Sequence, residues 1–426
     1  MIKDKLAILG GKKLINKEFE HYKSIGKEEV QAASEVVQSG ILSDFLGVWH
    51  DKFYGGSKVR EFEQSIKNFF KVKHAVTVNS WTSGLVAAVG SIGIEPGDEV
   101  IVTPWTMTAT AAAILHWNAI PVFADIDRET FNLCPKSIEK NISPYTKAII
   151  VADIFGQSAD MEKIMNIAKN HKLKVISDSA QAPGALYKSK FAGTCADVGG
   201  FSLNYHKHIH TGEGGILVTD DDRIAERLQL IRNHAEVVVE DKGVKDISNM
   251  IGHNFRLGEI ECAIGIEQIK KLPMLVSNRQ NLAKILTEGL KSLPGLKTPS
   301  IGKHRTHVYY VYAMQLDVEL LNLSREKICS ALNAEGVPIS SKYQNIHLLP
   351  IYQRKIAYGS KGFPWSSEIC RRQVNYEKGI CPVAEELNDK TYIGFNICLY
   401  NLGKKDIELI ISAFHKVWEN LESLKN

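Results

Sequence analysis

The hydrophobic positions in the first half of the chain alternate between the spacing of a helix and that of a strand. Apolar residues at helical spacing predict one helix that follows Gly26 and ends at Gly40, and a second helix over residues 59–69 that buries Phe69 on its apolar face. Short apolar runs then predict strands over residues 74–78, 100–103, 120–124, 148–152, 175–177 and 198–201. Helical patterns lie between them, over residues 83–89, 109–117 and 161–171. This alternation favours a mostly parallel sheet that is covered by helices on both faces.

The second half of the chain has longer helical stretches and then a smaller α/β pattern. Residues 256–296 carry isoleucines and leucines at helical spacing, which predicts long helices there. Further on, the pattern predicts strands over residues 308–314 and 392–399 and helices over residues 325–335 and 407–424. A chain of 426 residues exceeds what one hydrophobic core usually supports. We therefore predict a large domain over residues 1–280, which includes an N-terminal helical segment, and a smaller C-terminal α/β domain over residues 281–426.

Polar clusters follow three of the predicted strands. The first runs from Asn79 to Gly84 and opens a helix, the second runs from Asp178 to Gly184, and the third continues to Gly215. Parallel strands bring their carboxyl ends to one edge of the sheet, and folds of this kind bind ligands at that edge. We therefore predict that the three clusters form one site.

The third cluster has the residue types of a cofactor cradle. Lys207 stands five positions before a Gly-Glu-Gly-Gly turn that starts at Gly212, and Ser202 stands five positions before the lysine. A constrained lysine can form a Schiff base with a carbonyl group, a serine can hold a phosphate, and glycines let the backbone approach a ligand closely.

The other two clusters supply what a pyridine aldehyde with a phosphate group would also need. Asp178 could hold the pyridine nitrogen in its protonated form, and Gln181 could bind the ring hydroxyl. The helix that opens near Thr82 offers backbone amides to the phosphate. Each residue also has an ordinary interpretation, because aspartates cap strand ends and Gly212 could belong to a simple turn. Their order and spacing favour the shared site.

These residues together resemble the DegT/DnrJ/EryC1/StrS family of sugar aminotransferases. The similarity lies in the segments Ser177–Ala182, Gly199–Ser202 and Lys207 with Thr211–Gly215, and it continues through residues 98–102, 121–127, 232–234 and 252–257. It implies an enzyme of the fold type I of aspartate aminotransferase that depends on pyridoxal 5′-phosphate. It also implies a homodimer whose active sites are shared between the subunits.

The resemblance assigns a role to each candidate residue. Lys207 would form the Schiff base and carry the transferred proton, while Asp178, Gln181 and Ser202 would bind the pyridine nitrogen, the ring hydroxyl and the phosphate. Trp81 and Thr82 match a phosphate-binding Gly-Thr pair, with tryptophan in place of glycine. The expected contact there runs through the backbone amide, so the replacement need not abolish it.

The family resemblance also implies a contribution from the partner subunit. Asn254 matches an asparagine that reaches the phosphate of the neighbouring subunit's cofactor. The implied reaction moves an amino group from an amino acid, with glutamate as the expected donor, to a keto sugar. We expect a nucleotide-linked 4-keto-6-deoxyhexose, aminated for a surface polysaccharide or a secondary metabolite.

Two features depart from the family pattern. Met107 stands where an aromatic residue usually stacks on the cofactor ring, so either this methionine covers the ring or Trp105 does. The segment from Asp44 to Tyr54 is aromatic, rich in glycine and longer than its counterpart in the family. It is either a surface insertion packed by its own aromatic rings or part of the substrate site. Tyr343 and His347 could contact the substrate or belong to the core of the small domain.

The histidines around Lys207 raise two alternatives. A branch of the same family has histidine in place of the lysine and catalyses sugar 3-dehydration, and a shift of one residue would bring His206 to that place. The spacing from Lys207 to Gly212 matches the aminotransferases without an insertion, which favours Lys207. His206, His208 and His210 would share a face on a strand, but no acidic or cysteine partner accompanies them, so we predict no metal site.

Composition excludes several other classes of function. A net charge of +4 without a basic, aromatic-rich tract argues against nucleic-acid binding. Seven scattered cysteines indicate a reducing compartment, and no stretch predicts a signal peptide or a membrane span, so we expect a cytoplasmic protein. No Gly-x-Gly-x-x-Gly sequence follows the early strands, which disfavours an NAD enzyme. A protein of the same fold that binds the cofactor without turnover remains an alternative.

Overall fold

The computed structural model describes residues 4–425 and contains a seven-stranded sheet, a four-stranded sheet and a short hairpin. The strands, in chain order, are β1 (His74–Val78), β2 (Glu99–Val102), β3 (Ile120–Phe123), β4 (Thr146–Ala152), β5 (Lys174–Asp178), β6 (Leu186–Tyr187), β7 (Lys190–Phe191), β8 (Val198–Ser202), β9 (Gly215–Thr219), β10 (Leu296–Lys297), β11 (Tyr312–Leu316), β12 (Ile339–Ser340) and β13 (Tyr392–Phe395). The helices are α1 (Lys27–Ser39), α2 (Ser57–Phe70), α3 (Trp81–Ser91), α4 (Ala109–His116), α5 (Pro135–Asn141), α6 (Met161–His171), α7 (Asp222–Arg232), α8 (Ala235–Val238), α9 (Glu259–Leu290), α10 (Val318–Leu321), α11 (Arg325–Ala334), α12 (Pro350–Gln353), α13 (Pro382–Glu386) and α14 (Lys404–Glu419).

The seven-stranded sheet has the strand order β1-β9-β8-β5-β4-β2-β3. Strand β9 runs antiparallel to both of its neighbours, and all the other pairs are parallel. Helices cover both faces, so the central strands are buried almost throughout and carry continuous apolar runs instead of an alternating pattern. The predicted fold class, a mostly parallel sheet between helices, is confirmed.

The predicted elements agree with the structure at most positions, with a few differences. The elements that the pattern did not predict include β9, α5 and α7 and short elements such as β10, β12 and α13. Residues 256–296, predicted to form several helices, contain the single helix α9, which continues through Pro273. The predicted strand over residues 308–314 begins only at Tyr312. These differences arise where burial against neighbouring elements decides the outcome, which local periodicity does not reveal.

The apolar face of α2 ends on a different residue from the one predicted. Phe70 is buried and stacks on Phe201 of β8, with 4.3 Å between the ring centroids, whereas Phe69 is only partly buried. The last turn of the helix lies against β8, and Lys71, in the left-handed conformation, then ends the helix. Phe69 packs against the same core, with its ring centroid 5.4 Å from that of Phe191, so the predicted apolar face is present and continues by one residue to Phe70.

The four-stranded sheet is antiparallel, with the order β10-β11-β13-β12, and lies over a second hydrophobic core. Residues from α9, α11 and α14 pack in this core, and Leu6 and Ile15 of the N-terminal segment join them. Helix α9 runs through residue 280 without a break. The division into residues 1–280 and 281–426 therefore remains a prediction.

Candidate active site

A cavity of about 520 Å³ lies where the predicted clusters were expected to meet. Asp178 ends β5, Ser202 ends β8, and Asp153 directly follows β4; all three line the cavity. Lys207 and the first turn of α3 complete this wall. The volume is within the range of pockets that hold small molecules and cofactors.

The segment that carries Lys207 is held by hydrogen bonds from several parts of the chain. Its backbone N–H donates to the Asn204 carbonyl at 2.9 Å. The next residue, His208, is bound twice: Tyr22 donates its hydroxyl to the His208 carbonyl at 2.7 Å, and the ring Nε2 donates to the Val308 carbonyl at 2.8 Å. Tyr22 belongs to the N-terminal segment, so residues far apart in the sequence fix the position of the lysine.

The amine of Lys207 lies in a largely apolar environment. The side chain is buried, and its Nζ stands 4.3 Å from the centroid of the Tyr310 ring. Burial lowers the pKa of Lys207 to about 8, and the nearby Cys398 and Asp178 oppose this shift. A part of the amine is therefore neutral near neutral pH, which is the form that attacks a carbonyl carbon.

Three donors from this chain contact the carboxylate of Asp178. Trp81 donates its indole N–H to Oδ1 at 2.7 Å, and the backbone N–H of Ala180 reaches the same oxygen at 3.3 Å. Thr110 donates its hydroxyl to Oδ2 at 2.7 Å. The carboxylate is almost fully buried and borders the cavity. The side chain of Trp81 thus has a contact that its backbone role did not predict.

Gln181 is held at both ends of its side-chain amide. Its Oε1 accepts the backbone N–H of Phe155 at 2.7 Å, and its Nε2 donates to the Tyr343 hydroxyl at 3.3 Å. Phe155 has a φ of 60°, a left-handed conformation that is uncommon for a bulky residue. Tyr343 lines the cavity, whereas His347 is fully buried and bonds to Glu385. Of the two possible substrate neighbours, only Tyr343 therefore borders the cavity.

One end of the cavity is suited to an anion. Helix α3 begins there, and its N-cap residue Ser80 accepts the backbone N–H of Ser83 through its hydroxyl at 3.1 Å. The first amides of a helix have no partner within the helix and attract negative charge. Thr82 is exposed to the cavity, and the hydroxyl of Ser202 lies in the same lining.

Asp153 is a second buried carboxylate in the cavity wall that the sequence did not single out. It accepts hydrogen bonds from the hydroxyls of Ser177 and Ser179 and from the backbone N–H of Ala159. Burial raises the pKa of Asp153 to about 6, although these hydrogen bonds oppose the shift. The proximity of Asp178 raises it further.

The structure separates the two candidates for covering the ring. Met107 lines the cavity and is 63% exposed. Trp105 is fully buried, stacks on Phe131 and donates its indole N–H to Asn345 at 2.6 Å. Among the described residues that line the cavity, Met107 is present and Trp105 is not.

Two predicted contributors lie outside the cavity of this chain. Asn254 is exposed, its carbonyl accepts a bond from the Asn79 side chain, and its side chain accepts one from Arg256. The segment from Asp44 to Tyr54 is held on Asn233, whose side chain donates to two of its carbonyls. The described lining of the cavity includes neither Asn254 nor this segment.

The three histidines around Lys207 do not lie on a strand, because the chain forms turns there. His206 lines the cavity, and burial lowers its pKa to about 4. His208 is buried and bonded to the Val308 carbonyl, while His210 is only partly buried. Among residues 4–425, no group of three His, Cys, Asp or Glu side chains is arranged to hold a metal ion.

The structure adds cavity residues that sequence reasoning missed. Tyr310 contacts the amine of Lys207, Cys398 lines the same cavity, and Thr110 bonds to Asp178. Tyr310 and Cys398 come from the second half of the chain, where no local pattern marks a residue that faces the first half. Thr110 could have been suspected, since it opens the helix next to Met107.

None of the helices within residues 4–425 combines the length and the apolar character that crossing a membrane would require.

Comparison with known proteins gives a consistent result. The model of the DegT/DnrJ/EryC1/StrS aminotransferase family matches residues 23–390. The spore coat polysaccharide biosynthesis protein SpsC of Bacillus subtilis is 33% identical over 358 residues, which cover 82% of this chain and 89% of SpsC. The GDP-perosamine synthase of Caulobacter vibrioides is 34% identical over 298 residues, which cover 70% of this chain and 79% of that enzyme.

A solved structure supports the same fold over nearly the whole chain. The aminotransferase from Psychrobacter cryohalolentis superposes with a TM-score of 0.80 at 26% sequence identity. The alignment covers 95% of this chain and 100% of that structure. The predicted family resemblance and fold type are confirmed.

Proposed function

The chain belongs to the DegT/DnrJ/EryC1/StrS aminotransferase family, and on that premise we propose that it transfers an amino group from an amino acid to a nucleotide-linked keto sugar. The expected donor is glutamate, and the expected acceptor is a 4-keto-6-deoxyhexose. The observation that carries the proposal is the buried amine of Lys207 in one cavity with Asp178, Gln181 and Ser202. The product would serve a surface polysaccharide or a secondary metabolite.

The residues of the cavity fit pyridoxal 5′-phosphate, the cofactor of this family. Lys207 would hold the aldehyde carbon covalently, Asp178 the ring nitrogen and Gln181 the ring hydroxyl. Ser202 and the first amides of α3, at Trp81 and Thr82, would hold the phosphate. Met107 would cover the exposed face of the ring. When bound, the cofactor supplies an electron sink that allows the Cα–H bond of the amino donor to break.

Lys207 is suited to move protons as well as to hold the cofactor. A pKa of about 8 means that its Nζ exists in both the neutral and the charged form at working pH. It can therefore accept the proton released at the donor Cα and deliver a proton to another carbon. The apolar ring of Tyr310 beside Nζ keeps bulk water away from this atom.

We also propose a homodimer with shared active sites. Asn254 is exposed, as it must be to reach the cofactor phosphate of a second copy. Helix α1 and the residues after it expose Val30, Val37 and Ile41, each by more than half of its surface. Such an apolar strip favours coverage by another subunit. The aromatic segment Asp44–Tyr54 continues from this strip, and we propose that it contributes to the partner's substrate site.

The names of two relatives support a sugar substrate. One relative is a GDP-perosamine synthase, and another acts in polysaccharide biosynthesis according to its name.

Cys134, Cys195 and the other five cysteines are free thiols in the structure. This fits a reducing compartment, and we propose the cytoplasm.

The proposal is tested with purified protein, glutamate and a panel of nucleotide-linked keto sugars. We expect a visible absorbance that borohydride abolishes and that mass spectrometry locates on Lys207. Lys207→Ala should abolish amino transfer, while His206→Ala should retain it. Loss of activity in His206→Ala with activity retained in Lys207→Ala would instead support sugar dehydration. Wild-type protein that binds the cofactor but turns over no keto sugar would support the non-catalytic alternative.

Subunit mixing tests the shared site. Lys207→Ala and Asn254→Ala subunits should each be impaired alone, and a mixed dimer should regain one complete site and thus a part of the activity. If mixing restores nothing, although light scattering shows dimers, the role of Asn254 across the interface is wrong.

A further inference from the structure

The side chain of Trp81 lies between α3 and the seven-stranded sheet. Space for it comes from two glycines: a Cβ on Gly84 would be 2.8 Å from the indole, and a Cβ on Gly200 would be 2.4 Å from it. Both distances are shorter than real Cβ contacts, so neither position can carry a side chain while the indole is there; at Gly200 the Ile216 carbonyl oxygen, 2.0 Å from such a Cβ, excludes one as well. Trp81 therefore occupies a space built for it beside Asp178.

The indole N–H uses a specific acceptor position on Asp178. An ionised carboxylate offers about four acceptor positions, two on each oxygen. On Oδ1, Trp81 and the Ala180 amide take both positions, at 2.7 and 3.3 Å. On Oδ2, Thr110 takes one position at 2.7 Å, and the Thr110 hydroxyl is itself 2.9 Å from that of Thr106. The acceptor position that remains is on Oδ2.

We infer that Trp81 is a positioning residue that holds the Asp178 carboxylate in one orientation, with Oδ2 as the acceptor for the ring nitrogen of the cofactor. The inference rests on the proposed function, because it assumes that a pyridine ring binds in the cavity. The tryptophan replaces the family's glycine and adds a side-chain contact that a glycine cannot make. Without the indole, Oδ1 loses its shorter hydrogen bond and the carboxylate can rotate about its Cβ–Cγ bond.

The effect of Trp81 on cofactor binding should depend on the ring nitrogen of the cofactor. This dependence distinguishes a positioning role of the tryptophan from a packing role. The probes are pyridoxamine 5′-phosphate, which forms no Schiff base with Lys207, and an analogue with carbon in place of the ring nitrogen. Trp81→Phe keeps an aromatic ring and removes the N–H. Calorimetric titration of the cofactor-free protein should show about tenfold weaker binding of pyridoxamine phosphate to this variant, the effect of one hydrogen bond to a charged group. Binding of the carbon analogue should change less than about twofold.

The variant Asp178→Asn, which lacks the carboxylate, provides the background in which the effect of Trp81→Phe is measured a second time. If Trp81 acts through the carboxylate, Trp81→Phe should weaken pyridoxamine phosphate binding much less in this background than in the wild type. Equal weakening of both probes by Trp81→Phe, or an undiminished effect in the Asp178→Asn background, would overturn the inference and leave a packing role. Failure of the wild-type protein to bind either probe would overturn the proposed function, and the inference with it.

A folding defect in Trp81→Phe would be avoided by an isosteric replacement. Incorporation of benzothienylalanine at position 81 substitutes sulfur for the indole N–H and preserves the shape that Gly84 and Gly200 accommodate. The same tenfold, nitrogen-dependent loss is expected, and unchanged binding of pyridoxamine phosphate would overturn the inference.

Discussion

The Nζ of Lys207 lies over the ring of Tyr310, 4.3 Å from its centroid, although the two residues are separated by about a hundred positions in the sequence. An aromatic face attracts a cation, so this contact favours the charged amine. Burial has the opposite effect and is the larger of the two, because the pKa of Lys207 is lowered to about 8. The tyrosine therefore moderates a shift that burial causes.

Tyr310→Leu is expected to lower the pKa of Lys207 further. Leucine keeps the environment apolar but removes the aromatic face. That face raises the pKa of Lys207 by about 0.5 to 1, so its loss should lower the pKa by the same amount. Brief labelling of the cofactor-free protein with acetic anhydride at a series of pH values, followed by mass spectrometry of the Lys207 peptide, measures the shift. Tyr310→Phe keeps the face and should leave the midpoint in place. Equal shifts in both variants would show that the hydroxyl, and not the ring, is responsible.

Lys207→Met is expected to stabilise the cofactor-free protein at neutral pH. The amine has a pKa of about 8 when folded and about 10.4 when unfolded, so the unfolded state binds more protons between these values. The lysine therefore destabilises the folded state by its full amount below pH 8, and this destabilisation disappears as the pH rises toward 10.4. The variant should be more stable by about 3 kcal/mol at pH 7, and the difference should shrink toward pH 10.

Urea denaturation at pH 7, 8.5 and 10 measures this difference. Lys405→Met, on the exposed surface of α14, is the control and should show no pH-dependent gain. A gain in Lys207→Met that is the same at every pH would mean that packing, and not charge, is responsible.

Tyr22→Phe is expected to slow catalysis without unfolding the protein. The hydroxyl holds the His208 carbonyl at 2.7 Å, next to Lys207, and the ring keeps its contact with Arg279 in the variant. Loss of one such bond corresponds to about a twofold to tenfold effect, which should appear in kcat and not in the KM for the sugar. Tyr187→Phe removes a comparable hydroxyl from Asp160, away from the cavity, and should leave kcat unchanged.

The polar clusters that follow the strands could be predicted from the sequence, because each cluster directly follows a strand that a local run of apolar residues reveals. Asp178, Ser202 and Lys207 line one cavity because parallel strands bring their carboxyl ends together, and periodicity reveals the strands. The side-chain contacts of Trp81 could not be predicted in the same way. Its acceptor lies 97 positions away, and the space it fills depends on Gly200 of another strand.

The contribution of the second half of the chain was equally hidden from sequence reasoning. Tyr310 precedes β11 and would look like an ordinary residue of a buried strand, so its contact with Lys207 appears only when the two halves of the chain are packed together. The sequence could not decide between Met107 and Trp105 as the residue that covers the ring, for the same reason. Trp105 is drawn into the core by Phe131 and Asn345, and neither residue is near it in the sequence.

Arg372→Ala is expected to destabilise the protein more than Arg371→Ala does. Arg372 donates to both oxygens of Glu99 at 2.7 Å, and Glu99 begins β2 with only 3% of its side chain exposed. Removal of the arginine leaves a buried carboxylate bonded mainly to Ser143, which should cost about 2 kcal/mol, less than for a fully buried pair because Arg372 is partly exposed. Arg371 is more exposed and 3.3 Å from Asp98, so its loss should cost less than about 1 kcal/mol.

Urea denaturation of the two variants measures the difference between these neighbouring arginines. Adding Glu99→Gln to Arg372→Ala should recover a part of the loss, because an uncharged amide at this buried position no longer lacks a cation. Arg371→Ala with Glu99→Gln should instead be less stable than Arg371→Ala alone, since Arg372 then loses its carboxylate partner. Equal destabilisation by both arginine variants, with no recovery on adding Glu99→Gln, would mean that the buried charge of Glu99 does not depend on Arg372.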